Sequence, residues 1–175
     1  MNDRARRAEP ADIPALHALV ESAYRGDSAR RGWTHEADLL DGQRTDPAAL
    51  AEVIADPAQA ILALEGPGGF TGCVCVSDKG EGLAMLGMLS VRPDIQAQGI
   101  GRELIAAAEA YAFSVFGARR MEMTVIRSRR ELIDWYERRG YRDTGRTAPF
   151  PVSDPRFGLP KVGDLEFVVL AKHLA

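Results

Sequence analysis

The residues of this sequence best suited to hold an anion are glycines and glutamines at the predicted junction of a strand and a helix. The turn Gln96-Ala97-Gln98-Gly99-Ile100-Gly101 follows the apolar run Leu83–Val91 and precedes a helix that begins near Arg102. The first turn of a helix has backbone N–H groups without intrahelical partners, and the helix dipole adds partial positive charge there. Glycines without a Cβ let a phosphate approach the backbone closely. The turn therefore predicts a phosphate site, with a glycine-rich turn that binds nothing as the alternative.

Two common phosphate-binding loops do not fit these residues. A Walker A loop needs Lys and then Ser or Thr after its last glycine, but Gly101 is followed by Arg102 and Glu103. A dinucleotide-binding loop needs a third glycine three residues beyond Gly101, where this chain has Leu104. The pattern Gln-x-x-Gly-x-Gly, between an apolar strand and an amphipathic helix, instead resembles the acetyl-CoA pyrophosphate loop of the GNAT family of N-acetyltransferases.

A second segment resembles the same family. In Trp135-Tyr136-Glu137-Arg138-Arg139-Gly140-Tyr141 a tyrosine is followed four residues later by glycine and an aromatic residue, as in the late helix and strand of that family. Residues 8–12, before an apolar helix, also look like the family's first strand and helix. Together these segments identify the sequence as a member of the GNAT family.

The resemblance implies roles for individual residues. The strand residues Leu89, Ser90 and Val91 should offer backbone hydrogen bonds to the pantetheine arm of acetyl-CoA. The pyrophosphate should be ringed by Gln96, Ala97, Gln98, Gly99, Ile100, Gly101 and Arg102. Tyr136 stands where many members place a general acid, and a phenol with a pKa of ~10 can protonate a thiolate whose conjugate acid has a pKa of ~8.5. Without the resemblance, Tyr136 would be interpreted as a core aromatic of an amphipathic helix.

Two positions depart from the family's pattern. Members that acetylate histone lysines carry a glutamate base at the position of Met85, and a methionine cannot accept a proton. The base would then be a water chain, a carboxylate from another segment, or bulk buffer. Many members have Asn seven residues before the tyrosine, where this chain has Arg129; this arginine could reach a CoA phosphate or be solvated.

The acceptor side is implied by the same resemblance. It should be lined by the segment after the first helix, residues 24–44, and by the loop before the last strand, residues 149–159. The candidate acceptor-binding residues are Tyr24, Trp33, Glu36 and Asp38. The last three could hold an ammonium by cation–π contact and charge pairing. The alternative is a solvated acidic face with one aromatic side chain anchoring the loop.

The hydrophobic pattern predicts the elements that position these residues. Four helices are predicted. The first begins after Asp12 and ends near Tyr24, and the second begins at Asp46-Pro47 and extends to about residue 54. The third begins near Arg102 and ends at Gly117, and the fourth begins at a capping box Ser128–Glu131 and ends at Gly140. The predicted strands are 60–64, 70–76, Leu83–Val91, 121–125, 141–147 and 165–170. The first three should form an antiparallel meander. A strand, a crossover helix and a strand within about forty residues form a parallel βαβ unit.

These elements predict an α/β (α+β) fold like that of the GNAT family. The central sheet should be mixed and mostly antiparallel, with about seven strands, helices on both faces and one parallel βαβ unit. The 175 residues, 46% of them apolar, are enough for one core and favour a single domain over 1–175. Cys73 and Cys75 lie two apart on a strand, so we expect free thiols rather than a disulfide or a metal site.

Composition excludes several function classes. The net charge of −3 argues against a nucleic-acid partner, and the apolar runs are too interrupted to cross a membrane. The basic N-terminus leads to residues 9–12 rather than to an apolar signal segment, so the sequence predicts a cytoplasmic protein. The predicted partner is a small-molecule amine, and a homodimer is left open.

The function predicted from the resemblance is acetyl transfer from acetyl-CoA, bound as a cosubstrate without a metal, to a primary amine of a small molecule. The amine would attack directly in a ternary complex. One alternative is a protein or peptide N-acetyltransferase. Another is a non-catalytic acyl-CoA-binding module, which Met85 and Arg129 favour slightly. The identity of the amine and the length of the acyl chain are left open.

Overall fold

The computed structural model of the protein describes residues 4–25, 40–41, 44–96, 98–149, 158–161 and 165–175. The strands are β1 (Ala5–Arg7), β2 (Leu40–Asp41), β3 (Gln59–Gly66), β4 (Gly69–Gly80), β5 (Leu83–Val91), β6 (Arg120–Ile126), β7 (Arg142–Pro149), β8 (Leu159–Pro160) and β9 (Glu166–His173). The helices are α1 (Ile13–Tyr24), α2 (Pro47–Ala55), α3 (Ile100–Ser114) and α4 (Arg130–Glu137), with short 3-10 turns at Pro10–Asp12 and Pro93–Ile95.

One seven-stranded sheet forms the centre of the molecule. Its strand order is β1-β3-β4-β5-β6-β9-β7, and β2 and β8 form a separate two-stranded ladder. The β5–β6 pair is parallel and the other ladders are antiparallel. This arrangement confirms the predicted mixed sheet, the meander and the βαβ unit, because α3 crosses over between β5 and β6.

The parallel ladder between β5 and β6 is short. Residues from Leu83 to Met85 pair with residues 120–122. Beyond these pairs β5 continues to Val91 and β6 to Ile126, with no further pairing between these two fully described strands. The strands therefore separate, and an opening lies between their C-terminal halves.

A bulge distorts β5 where the opening begins. Cys73 of β4 pairs with Ser90, whereas Cys75 pairs with Gly87, so β5 carries one more residue than β4 over this interval. Within the bulge Met88 has a φ of +54°, in the left-handed region that side-chain-bearing residues rarely adopt. Such bulges redirect the side chains around them and recur next to active sites.

Two apolar layers lie on opposite faces of the sheet. The layer beneath α3 and α4 includes Val74, Ala84, Leu104, Met123, Ile133 and Leu170. The layer beneath α1 and α2 includes Leu16, Val20, Leu50, Ile61 and Cys73. Helices therefore cover both faces, as predicted. None of the helices in the described part of the chain is long and apolar enough to cross a membrane.

Both cysteines are free thiols, as expected from their spacing. Burial raises the pKa of the Cys73 thiol to about 12 and that of the Cys75 thiol to about 11. Because the thiolate is the nucleophilic form, neither group is suited to chemistry at neutral pH.

The helix starts predicted after Asp12 and at Asp46 are confirmed, and α3 begins at Ile100, close to the predicted start near Arg102. The contact made by Asp12 and the start of α4 differ from the prediction. Asp46 caps α2 as predicted, since its carboxylate accepts from the Ala49 N–H at 2.7 Å. The carboxylate of Asp12 makes no capping bond to α1; it accepts from the Arg6 guanidinium at 2.8 and 2.9 Å, and this contact lowers its pKa. The predicted Ser128–Glu131 capping box is wrong, because Arg129 occupies the N-cap position of α4.

The physical reason for the misplaced box is a backbone turn that precedes α4. The Arg129 N–H donates to the Ile126 carbonyl at 2.9 Å, and the Arg129 carbonyl accepts from Leu132 and Ile133 at 3.1 Å each. The N-cap position is therefore one residue later than Ser128, and the Ser128 side chain is not placed to cap the helix.

We predict that Gly72→Ala destabilises the fold by about 1–3 kcal/mol, the usual cost of overpacking. A Cβ at this position would lie 2.7 Å from the Ser90 carbonyl oxygen and 2.7 Å from Leu104 Cδ1, and the first of these is backbone that cannot rotate away. The matched control is Gly87→Ala, whose Cβ meets nothing within 4 Å. Urea unfolding of both variants checks the prediction, and equal stabilities would contradict it.

Candidate active site

A cavity of about 450 Å³ lies between the C-terminal half of β5, the start of α3, and α4. We call it the larger cavity. It is lined by Ala23, Tyr24, Leu89, Val91, Gln96, Gly99, Gly101, Arg102, Arg129, Leu132, Trp135, Tyr136, Arg138 and Arg139. It therefore joins the glycine turn and the tyrosine helix that the sequence singled out.

The glycine turn closes one end of the larger cavity. Gly99 is the N-cap of α3 with a φ of +82°, a conformation that glycine adopts without strain. A Cβ at Gly101 would lie 3.3 Å from two carbons of the Trp135 ring, so the helix start and α4 approach closely here. The Gln96 side chain donates to the Val91 carbonyl at 3.2 Å and ties the turn back to β5.

Positive charge concentrates on the wall of the larger cavity. Its four lining arginines are Arg102, Arg129, Arg138 and Arg139. Arg139 lies 3.8 Å from the centre of the Trp135 ring and donates to the Trp135 carbonyl at 2.8 Å. Burial lowers the pKa of Arg139, and the charges of Arg138 and Arg102 lower it further. Cations held this close together favour binding of a polyanion, which would relieve their mutual repulsion.

The open edge of β5 supplies backbone groups to the same cavity. The Leu89 carbonyl accepts a hydrogen bond from the Tyr24 hydroxyl, and the Val91 carbonyl accepts from Gln96. Leu89 and Val91 are two residues apart, so their backbone groups point to the same edge of the strand. Ser90 lies between them with its side chain buried, and its hydroxyl donates to the Met88 carbonyl at 3.0 Å.

Tyr136 is both a core residue and a wall residue. It is 5% exposed, and its ring makes edge contacts with Trp135 and Tyr141 at centroid distances of 5.1 and 6.0 Å. The two interpretations of the sequence, core aromatic and site residue, therefore describe the same side chain.

A second cavity of about 170 Å³, the smaller cavity, lies in the opening between β5 and β6. It is lined by Tyr24, Arg44, Leu86, Gly87, Met88, Leu89, Met123, Thr124, Val125, Ile126, Arg129, Leu132, Tyr136 and Phe167. Tyr24, Leu89, Arg129, Leu132 and Tyr136 line both cavities. The two cavities are therefore neighbours that share part of their lining.

The predicted site residues are distributed unevenly. Those on a cavity wall are Tyr24, Leu89, Val91, Gln96, Gly99, Gly101, Arg102 and Tyr136. Ser90, Gln98 and Ile100 do not line either cavity. Ala97, Trp33, Glu36 and Asp38 lie outside the described residues. Arg129 is 5% exposed, so its interpretation as a solvated side chain is wrong.

Sequence reasoning missed several wall residues. Arg138 and Arg139 directly follow the tyrosine helix, and a basic pair beside a predicted phosphate site was an available signal. Phe167 gave no such signal, because only the folded chain brings it to the opening between β5 and β6. Arg44 lies within the segment 24–44 that was expected on the acceptor side, but it was not named as a candidate binding residue.

Comparison with known proteins identifies the family. The model of the Acetyltransferase (GNAT) family matches residues 15–141, more than half of the chain. The chain belongs to the GNAT acetyltransferase family. It is therefore an acetyl-CoA-dependent acyltransferase. A search of curated proteins finds no significant match.

Solved structures share the fold of this GNAT protein over nearly its whole length. Ribosomal-protein-alanine N-acetyltransferase from Brucella melitensis is 17% identical, with 97% of this chain and 99% of that chain covered and a TM-score of 0.72. The putative acetyltransferase yncA from Salmonella typhimurium, solved with acetyl-CoA, is 18% identical, with coverages of 98% and 93% and a TM-score of 0.70. Spermidine N-acetyltransferase from Vibrio cholerae, solved with CoA and spermine, is 16% identical, with coverages of 97% and 94% and a TM-score of 0.70.

We predict that CoA binding changes the fluorescence of Trp135, which lines the larger cavity. The chain has two tryptophans, so a Trp33→Phe variant leaves Trp135 as the single reporter. Titration with CoA should give a saturable change in emission, because a ligand in the cavity alters the surroundings of the indole and of Arg139 stacked on it. The same titration of a Trp135→Phe variant is the control. Calorimetric binding without any emission change would place CoA elsewhere.

Proposed function

We propose that this protein transfers the acetyl group of acetyl-CoA to a primary amine of a small molecule, by direct attack in a ternary complex. The observation that carries the proposal is the meeting of the two cavities at Leu89, Arg129 and Tyr136. A transfer between two bound molecules needs one space for each, adjacent to each other, so that the amine can reach the thioester carbon.

The larger cavity has the chemistry that acetyl-CoA requires. The N-terminus of α3 and the arginines Arg102, Arg138 and Arg139 favour its phosphates. A side chain at Gly101 would crowd the Trp135 ring, because its Cβ would lie 3.3 Å from two ring carbons. We propose that the turn Gln96–Gly101 with Arg102 holds the pyrophosphate. The backbone of Leu89 and Val91 would hold the pantetheine arm, and an N–H of this strand would polarise the thioester carbonyl.

The proposed reaction forms one bond and breaks another. The neutral amine nitrogen bonds to the acetyl carbon, the carbon–sulfur bond breaks, and the thiolate takes a proton from the Tyr136 hydroxyl. The proton that the attacking nitrogen loses goes to solvent, and the Tyr136 phenolate takes up a proton from solvent, which returns the enzyme to its starting form. Holding both reactants in one orientation can supply ~7 to 11 kcal/mol of the barrier, so positioning is the main catalytic contribution of the protein.

The strands around the opening provide no clear base. Met85 pairs with Glu122 of β6, and neither residue lines a cavity. The Glu122 carboxylate accepts from Arg120 at 3.0 Å and also from Arg146, and its side chain is 7% exposed. Because the Glu122 carboxylate is engaged by two guanidinium groups and lines neither cavity, it is not placed to act as the base, and we propose that the amine binds in its neutral form.

The size of the smaller cavity favours a small molecule over a protein chain. Its volume of about 170 Å³ and its apolar walls, which include Val125, Ile126 and Phe167, suit a compact amine. The free thiols of Cys73 and Cys75 suit a reducing compartment, and we propose a cytoplasmic location on this basis.

We predict that Gly99→Glu abolishes acetyl-CoA binding, because the new side chain puts bulk and negative charge at the start of α3. The matched control is Gly80→Glu. Gly80 has a φ of +80°, nearly that of Gly99, and it lies in the hairpin before β5, whereas the glycine turn follows the other end of that strand. Calorimetric titration of both variants and the wild type checks the prediction. Wild-type protein that does not bind acetyl-CoA, or Gly99→Glu protein that binds it normally, would contradict the site.

We predict that Tyr136→Phe lowers the rate of acetyl transfer by about 10²–10⁴-fold, the usual contribution of a general acid. CoA affinity should stay unchanged, because the ring contacts with Trp135 and Tyr141 are kept. The control is Tyr111→Phe on α3, a ring that packs against Phe116 away from both cavities. Single-turnover rates should be compared, so that slow product release does not mask the chemical step. An unchanged rate would assign the proton donor elsewhere.

A further inference from the structure

We infer that the acceptor amine also carries a carboxylate, which Arg44 and Arg129 bind in the smaller cavity. The inference rests on the proposed function and names the charge class of its second substrate. Arg44 and Arg129 are the cationic residues of the smaller cavity, and no carboxylate is found among its lining residues in the described part of the chain.

Arg44 reaches the smaller cavity from the side of α1. Its backbone N–H and that of Thr45 donate to the Glu21 carboxylate at 2.7 and 2.9 Å, which fixes where the side chain begins. Its guanidinium carbon lies 5.1 Å from the centre of the Tyr24 ring. The hydroxyl of that tyrosine donates to the Leu89 carbonyl of β5, the strand that lines both cavities, so Arg44 lies next to this strand.

Arg129 reaches the smaller cavity from the start of α4. It is 5% exposed, it lines both cavities, and its backbone is fixed by the turn that starts α4. A guanidinium has five N–H donors in a planar fork, so it can bind a carboxylate through two of them while it serves other partners. Both arginines therefore contribute to the lining of the smaller cavity.

The charge of these walls selects among amines. A carboxylate in a small, largely apolar space needs cationic partners, and two are present. A second ammonium on the acceptor would lie in the same space as two guanidinium groups and would be repelled. The guanidinium groups also lower the pKa of the reacting ammonium. They thereby favour the neutral amine, which direct attack requires where Met85 offers no base.

The test compares acceptors that differ only in this charge. Glycine, L-alanine, L-leucine and 4-aminobutyrate are each paired with their own carboxamide, and spermidine serves as a polycationic probe. N-acetylated product is measured by mass spectrometry at fixed acetyl-CoA. We expect at least a tenfold higher kcat/KM for one or more acids over the matched amide. The amine of an α-amino amide is less basic than that of the matched acid, so more of it is in the neutral, reactive form at a given pH. For the α-amino acids, basicity alone would therefore favour the amide, and a preference for the acid would have to come from binding of the carboxylate.

Arg44→Gln is the deciding variant, because Arg44 lines the smaller cavity and does not line the larger one. It should remove the preference for the acid through a higher KM and leave calorimetric acetyl-CoA affinity unchanged, which also shows that the variant is folded. Arg129→Gln should reduce the preference as well. The matched control is Arg130→Gln, an exposed arginine next to Arg129 that lines neither cavity and should keep the preference.

The possible results separate the inference from the function on which it rests. Equal or better acetylation of the amides or of spermidine overturns the inference and leaves the N-acetyltransferase function standing. A preference for the acid that persists in Arg44→Gln also overturns it. Wild-type protein that binds acetyl-CoA but acetylates none of these amines overturns both the inference and the small-molecule function.

Discussion

The separation of β5 from β6 after Met85 and Glu122 is the feature on which the site depends. A continuous parallel ladder would pair the backbone groups of both strands and leave no space between them. Here the strands leave each other after three residue pairs, so the edge of β5 stays open as far as Val91. Both cavities lie along this open edge. The sheet thus provides backbone hydrogen-bonding groups and enclosed space at the same place, which a regular sheet could not.

Contacts from both layers hold this opening in shape. On one side the Tyr24 hydroxyl of α1 binds the Leu89 carbonyl, and on the other α4 presents Tyr136. At the far end of α4 the Tyr141 hydroxyl donates to Glu109 of α3 at 2.9 Å, and Lys172 of β9 donates to the same carboxylate at 3.0 Å. Burial raises the pKa of Tyr141, and the negative charge of Glu109 raises it further, so the phenol stays a neutral donor. A part-buried polar contact therefore ties α3 to Tyr141, shortly after α4, and to β9.

Local features of the sequence were predictable, and contacts between distant segments were not. Alternating side chains and the turn at Gly99 predicted the strands and the crossover helix, because each depends on neighbours within a few residues. The start of α1 after Asp12 was predicted by the same reasoning, but the pairing of the Asp12 carboxylate with Arg6 was not. For Arg129 the sequence left open a contact to a CoA phosphate or a solvated side chain, and its burial in the folded chain excludes the second. Arg44 lies in the segment 24–44 that was expected on the acceptor side, but only the folded chain shows that it lines the smaller cavity.

The position of Tyr136 joins the stability of the fold to the proposed chemistry. A proton donor is effective when it is held within hydrogen-bond reach of the atom that it protonates, and this requires a side chain that cannot turn away. The edge contacts of Tyr136 with Trp135 and Tyr141 restrict its ring from two sides. Trp135 in turn packs against Gly101 and carries the stacked Arg139. Gly101 and Arg139, which belong to the proposed phosphate site, therefore contact Trp135, and Trp135 in turn contacts Tyr136. Through these contacts, a ligand in the larger cavity can affect the orientation of Tyr136.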